Sequence, residues 1–433
     1  MVKKNRLFFL FSFLAMVFLS YGQSDVSAEY VDDVGSRGAQ YAVKKAHQMT
    51  DLEFVPADTI IANKSREYKP GKKYKGLIYS SVKETNTFVG LDVSFHTFMT
   101  AVRNPRSVLY TVNVAKPPYH GKNAAAYYGT VCSALVSYAL GLRIYHKSYD
   151  FPNSDKMILI ADQSSAGVQL ADVMWKKGHV ALLTGIRREK STGEIFEIEY
   201  CEAVHKGSRR VVKAPEEFDQ MIVDGKWKIY RYADLEKNEY KPLTEFVAVD
   251  GESESPFTYN DDLCPNKGDK SCYNRGEKVV LNVLGDGFDE ITIYKDSKIY
   301  TQKEIKGDSD IELVDLPYGN YKARLQRKGK MTDFVYWTVV DVQVNVNVEE
   351  GIIAFHSENA VPVYLEFCSE NGERPDWGCY EFTKEDISNG YVKVSKLPLS
   401  NKLANHKSDL YVKVHFECNY GKVINRPVLW NSK

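Results

Sequence analysis

The stretch that most constrains this chain is Thr130-Val131-Cys132-Ser133-Ala134-Leu135-Val136-Ser137-Tyr138-Ala139-Leu140-Gly141, which reads as a short helix with a cysteine in its first turn. Thr130 is a favourable N-cap, the apolar residues Leu135, Val136, Ala139 and Leu140 recur at helical spacing, and Gly141 suits the left-handed residue that ends a helix. A sulfur there meets the unpaired N–H groups and the positive end of the helix dipole, which stabilise a thiolate. Cys132 is therefore a candidate nucleophile; the competing reading is a small buried apolar residue, since free cysteine is among the most buried types. A second stretch, Gly178-His179-Val180-Ala181-Leu182-Leu183-Thr184-Gly185-Ile186, reads as an apolar strand with a histidine at its mouth. Imidazole can take the thiol proton near neutral pH and return it to a leaving amine, so the two stretches together form a working pair.

The order and local pattern of these stretches resemble the NlpC/P60 cysteine peptidases, papain-like enzymes of bacterial cell-wall turnover. The resemblance runs from about Tyr68 to Val212, roughly a third of the chain. Cys132-Ser133 matches the family's Cys-Ser at the start of its catalytic helix, and Gly178-His179-Val180-Ala181 matches its Gly-His-Val strand. Asp172, in the turn ahead of that strand, also fits the pattern. The family implies an α+β papain-like fold and a third, polar residue on the next strand that orients the imidazole. Here that strand is Ile195 to Val204, reached through the turn Ser191-Thr192-Gly193. Strand parity puts Ile198, Tyr200, Glu202 and Val204 on one face, so Glu202 is the acid in an apolar row and needs a partner. Glu197 and Glu199 fall on the other, more polar face and are expected to be solvated.

Two departures bear on the substrate. The family commonly carries Asp before the cysteine to hold the free amine of a peptide stem; this chain has Val131, which cannot pair with an ammonium. The family's Gly-x-Pro-Tyr segment resembles Gly76-Leu77-Ile78-Tyr79, without the proline and with an insertion of about forty residues before the cysteine, of the kind that builds the rim of a site. Tyr127 and Tyr128 are nearer the cysteine and can serve the same purpose, although packing is the ordinary role of any one tyrosine. Tyr79, Tyr128 and Ser133 are the substrate-binding candidates.

The chain opens with Lys3, Lys4 and Arg6, an apolar run from Leu7 to Leu19, and Ser20-Tyr21-Gly22, which reads as a secretory signal peptide over residues 1–22. Such a leader implies export to the periplasm or beyond. No later stretch reaches the length of a membrane span. The formal net charge of the 433 residues is zero, and removing the leader's three cations leaves about minus three, so there is no basic field for nucleic acid. Amphipathic helices are expected at residues 36–50 and 91–102, with His47 an exposed helix residue and His96 a weak rival base. His205, Lys206, Gly207, Arg209 and Arg210 read as a solvated loop.

Past residue 250 the texture changes. Gly251-Glu252-Ser253-Glu254-Ser255-Pro256 reads as a linker between a hydrolase domain at 23–249 and a β-rich remainder. Strands are expected at 278–284, 290–294, 321–325, 334–348, 351–356, 361–367, 391–394 and 410–416, separated by turns such as Asp286-Gly287. The expectation is two immunoglobulin-like all-β sandwich modules, 250–347 and 348–433, or one larger β domain. Of the seven cysteines, Cys264 with Cys272 and Cys368 with Cys379 flank short loops and pair naturally as disulfides in an exported chain, leaving Cys132, Cys201 and Cys418. Neither pair has the ligand spacing of a zinc motif. Thiol–imidazole chemistry on an amide of a cell-wall peptide needs no cofactor or metal. The alternatives are a non-catalytic glycan- or protein-binding protein that keeps the fold, and a thiol acyltransferase or amidase acting elsewhere.

Overall fold

The computed structural model describes residues 29–62, 66–80, 88–111, 128–142, 144–235, 263–265, 271–283, 287–305, 310–332, 334–370, 375, 377–406, 408–419 and 421–430. The leader at 1–22, Tyr127 and the linker at 251–256 lie outside them. The described chain is mostly β-sheet. No helix among the described residues is long and apolar enough to cross a membrane.

The first half is built on a seven-stranded sheet whose pairings are all antiparallel. Its elements in chain order are β1 (Tyr30–Asp32), α1 (Arg37–Asp51), α2 (Phe95–Arg103), α3 (Cys132–Ala139), β2 (Met157–Leu159), β3 (Val173–Lys176), β4 (His179–Glu189), β5 (Ile195–Val204), β6 (Gly207–Lys213), α4 (Pro215–Asp224) and β7 (Lys228–Tyr232). The strands run in the order β6-β5-β4-β3-β7-β2, with β1 on β4. Helix α1 starts at the expected serine, whose Oγ accepts from Ala39 N at 3.1 Å, and it buries Ala39, Ala42, Ala46 and Met49. Helix α2 begins at Phe95, later than expected, because Ser94 caps it and takes the Thr97 N–H at 3.0 Å. Of the expected loop at 205–210, residues 205 and 206 form a turn and 207–210 are the start of strand β6.

The unbroken apolar run of β4 has a physical cause: both faces of this part of the sheet are covered. Val180 and Leu182 join Cys201 and Ala203 in a core shared with α1 and α3. Ala181, Leu183 and Ile186 join Ile198, Tyr200, Phe218 and Trp227 on the opposite side, under α4. Each fully buried leucine here contributes about 2 kcal/mol.

Close backbone approaches bring the segment at 76–80 to the start of α3. Thr130 N donates to Ile78 O at 2.9 Å and Ser80 N to Thr130 O at 3.0 Å, so Tyr79 and Thr130 form an isolated bridge. Thr130 is thus held in this bridge and does not cap α3; Val131 occupies the cap position, with no side-chain hydrogen bond. Gly76 has φ +83°, and a Cβ there would lie 1.9 Å from Ser208 O on β6. A Cβ on Gly129 would lie 2.3 Å from the Ser80 Cβ. Only glycine allows these chains to touch.

All eight expected β runs of the second half are strands. They include β8 (Val279–Val283), β9 (Glu290–Lys295), β10 (Gly319–Arg327), β11 (Val335–Asn347), β12 (Ile352–Glu358), β13 (Val361–Cys368), β14 (Tyr391–Lys393) and β15 (Leu410–Cys418). They enclose two cores, one around Trp337 and Tyr321 and one around Phe367 and Phe416. The division expected at 347/348 falls in the turn of a hairpin: β11 pairs with β10 through its first half and with β12 from Asp341↔Glu358 to Asn347↔Ile352. One long strand therefore serves both cores. The expected local disulfides are also corrected. Cys272 is bonded to Cys418, joining residues 146 apart in sequence, and Cys368 and Cys379 are not bonded to each other. Cys272 lies on a short strand, 272–274, paired with β11 beside the second core, which brings it to β15; the side chain of Cys264 lies outside the described residues.

Replacing Gly76 by alanine is expected to cost more than about 3 kcal/mol, because the new carbon meets backbone that cannot move aside. Gly193→Ala has equal freedom of φ (+74°) but nothing within 4 Å; it is expected to cost only about 1 kcal/mol. Denaturant midpoints of the two variants check the difference.

Candidate active site

Cys132, His179 and Glu202 come together at one end of the sheet. Cys132 is the first residue of α3, and His179 is the first residue of β4, after the turn closed by the Lys176↔His179 pair. The thiol is hydrogen-bonded to the His179 ring and receives the backbone N–H groups of Val180 and Ser133. His179 Nε2 lies 2.7 Å from Glu202 Oε2, which leaves Nδ1 for the thiol. Burial opposes ionisation of Cys132, but the hydrogen bond and charge of His179 outweigh it and hold the thiol below its ordinary value. Burial also works against the imidazolium, yet Cys132 and Glu202 together raise His179 to about 9. Both shifts favour the thiolate–imidazolium form of the pair.

Glu202 is buried, and its charge is held by two partners. Register explains both: Leu182↔Cys201 sets Glu202 opposite Ala181, on the face of β4 that also carries His179, and Arg209 of β6 is its direct cross-strand partner. Arg209 Nε and Nη2 donate to Glu202 Oε1 at 2.9 and 2.6 Å. Burial would raise the carboxyl, but His179 and Arg209 keep it below its usual value.

Glu199 lies on the other face, as parity requires, but it is not a solvated side chain. Its Oε1 lies 2.8 Å from His47 Nε2 and accepts from Thr184 Oγ1 at 2.9 Å, while Arg210 reaches Oε2. Nor is His47 simply an exposed helix residue. Both line a cleft of about 740 Å³ between α1 and the sheet, with Asp51, Thr184 and Arg210. Donor atoms of His47, Glu199 and Cys201 lie within 4.8 Å of one another, a set that could hold a metal ion. The Cys201 thiol is pushed up to about 12 by burial, against hydrogen bonds with Thr184 and Thr50.

The other sequence candidates take different places. Tyr79 is half-buried beside the start of α3, its ring 4.9 Å from that of His205. Tyr128 is buried in the core of the first half. Ser133 is buried too, and its Oγ lies 2.9 Å from Tyr145 Oη, so it orients a tyrosine near the thiol. The Tyr145 hydroxyl is raised to about 12, chiefly by burial and in part by the Cys132 charge. The side chain of His96 lies outside the described residues. Sequence reasoning missed Tyr145, Trp227, whose ring packs edge-on to His179 at 5.6 Å, and Lys176, whose Nζ sits 4.4 Å from the centre of that ring. Arg209 had a signal: once β6 is read as a strand, hairpin register sets it against Glu202.

No protein-family profile matches the chain, and no curated protein matches it. Solved structures to which it is similar include the sulfur carrier protein SoxY of Chlorobium limicola, at 12% identity over 18% of this chain and 78% of that one, TM-score 0.14. The fibronectin(III)-like modules of Clostridium thermocellum CbhA are 8% identical over 39% of this chain and 90% of theirs, TM-score 0.19. The CD2-binding domain of CD58 is 6% identical over 36% of this chain and 94% of its own, TM-score 0.18. At these scores the second half rests on its own strand pairings.

The opposed environments of the two thiols give a selective outcome. Iodoacetamide is expected to modify Cys132 already near pH 6, where an ordinary thiol is mostly protonated, and to leave Cys201 untouched in the folded chain. Because the imidazolium is lost as pH rises through about 9, any activity that needs His179 to donate a proton should decline there, as should the stability contributed by its charged form. Peptide mapping across pH checks the first statement and a pH–rate profile the second. Glu199→Ala, which strands His47 and Thr184, is expected to lower stability by about 1–3 kcal/mol while changing Cys132 alkylation less than about twofold.

Proposed function

We propose that the chain is an exported cysteine hydrolase of the NlpC/P60 type, with a papain-like catalytic domain followed by immunoglobulin-like β modules, that cleaves an amide bond in cell-wall peptides. The observation that carries this reading is the thiol at the start of α3, hydrogen-bonded to an imidazole that a buried carboxylate holds from its other nitrogen. In this mechanism the Cys132 thiolate attacks the scissile carbonyl carbon, and the carbonyl π electrons move to oxygen. The backbone N–H of Cys132, unpaired at the helix start, is aimed to help hold that oxyanion. Collapse of the tetrahedral species breaks the C–N bond as His179 gives its proton to the leaving amine. Water, deprotonated by His179, then hydrolyses the thioester. Glu202 stays ionised and keeps the ring in register throughout.

Val131 favours substrates that present no free amine at this point, because a buried valine gives an ammonium no counter-charge. That supports an internal amide of a cell-wall peptide over a terminal one.

The test is mass spectrometry of peptidoglycan fragments after incubation with the chain lacking residues 1–22. New amine and carboxylate termini at one amide are expected. Cys132→Ala should abolish them, His179→Ala should lower the rate at least about a thousandfold, and Glu202→Ala should cost more than Glu202→Gln, whose amide can still accept from the ring. Fragments that do not change, with Cys132 reactive to iodoacetamide, would redirect the search to acyl transfer or another amide.

A further inference from the structure

Glu202 has two oxygens, and only one faces the imidazole. The other accepts both Nε and Nη2 of Arg209, at 2.9 and 2.6 Å. The Glu202 side chain is 7% exposed and that of Arg209 49%, so the carboxylate is inside while the cation reaches it from the rim. The neighbouring Arg210 projects to the opposite face, towards Asp51 and Glu199, and cannot substitute. Arg209 is fixed in turn by the ladder that sets it directly across from Glu202.

We propose that Arg209 is a positioning residue of this site: its guanidinium fixes the plane of the Glu202 carboxylate so that the remaining oxygen is held on His179. The inference rests on the reading of Cys132 and His179 as nucleophile and base. Arg209 touches neither the thiol nor the imidazole and acts through Glu202. Without it, Oε1 is an enclosed anionic oxygen with no donor; the carboxyl group then turns or takes up a proton more readily as pH falls. Either change removes the anion opposite the imidazolium and so weakens the thiolate in mildly acidic solution. A lysine restores charge but not the two fixed N–H directions that hold the plane.

The readout is iodoacetamide alkylation of Cys132 in the full chain, which requires no knowledge of the substrate. In Arg209→Met the acidic limb of the rate–pH curve is expected to move up by about one unit, a loss of about tenfold near pH 5. Arg209→Lys should return the limb towards its original position while leaving the plateau rate reduced. In a Glu202→Gln background, Arg209→Met should add less than about twofold, because the group through which it acts has been neutralised. An unshifted limb in Arg209→Met, or an equal loss in the Glu202→Gln background, overturns the proposal. Should Arg209→Met fail to fold, Arg209→Lys decides, and an unchanged plateau overturns the proposal. An unreactive Cys132 in the unaltered chain overturns both this inference and the hydrolase reading; a reactive Cys132 that ignores Arg209 overturns this one alone.

Discussion

The arrangement at the head of the sheet depends on one buried carboxylate. Taking an ion out of water costs several kcal/mol, and an unpaired carboxylate at the position of Glu202 would simply be protonated. It stays charged because His179 holds one oxygen and Arg209 the other, both supplied by strands that flank β5. The consequence passes along the bonds. An ionised Glu202 supports an imidazolium at His179, and the imidazolium supports a thiolate at Cys132. The N–H groups of Val180 and Ser133 at the helix start stabilise the thiolate further.

The pairing of helix, strand and acid was legible in the sequence for a definite reason. Alternation has a period of two, so once Ile198 and Tyr200 are placed inwards, Glu202 must share their face. The sequence reading failed where it equated a polar face with a wet one. The face bearing Glu199 also bears Cys201 and Ala203, which pack under α1 and α3. Where the sheet is covered on both sides a polar side chain needs partners, and Glu199 is accommodated by His47, Thr184 and Arg210. Parity assigns residues to faces; what covers each face is decided by helices distant in the chain.

The same distinction explains the β-rich half. Strand positions follow from local alternation and turn residues, and they were read closely. The cysteine pairing and the division into modules depend on long-range register. β11 is long enough to leave one core and enter the next, which no local composition signals, and it carries the short strand at 272–274 alongside the second core. Proximity in sequence therefore misled: Cys272 meets Cys418, not the cysteine eight positions before it.

Strand β5 lies between two sets of chemically similar groups, and the contrast between them shows what lowers one thiol and raises another. On one face Glu202 has His179 and Arg209, with Cys132 at hand; on the other Glu199 has His47 and Arg210, with Cys201 at hand. Each set thus has a carboxylate, an imidazole, a guanidinium and a thiol. Composition does not separate them, yet one thiol is held below its ordinary value and the other is pushed up to about 12. The difference lies in what the sulfur meets. Cys132 stands at a helix start with an imidazole as its hydrogen-bond partner, so its negative charge is answered directly. Cys201 lies in the middle of a strand, fully enclosed, with two threonine hydroxyls as neighbours and the Glu199 charge opposing ionisation. His47 is bonded to Glu199 and leaves the Cys201 charge unanswered. The lowered thiol is therefore set by order along a line, carboxylate to imidazole to thiol at a helix start, and not by the presence of the four groups.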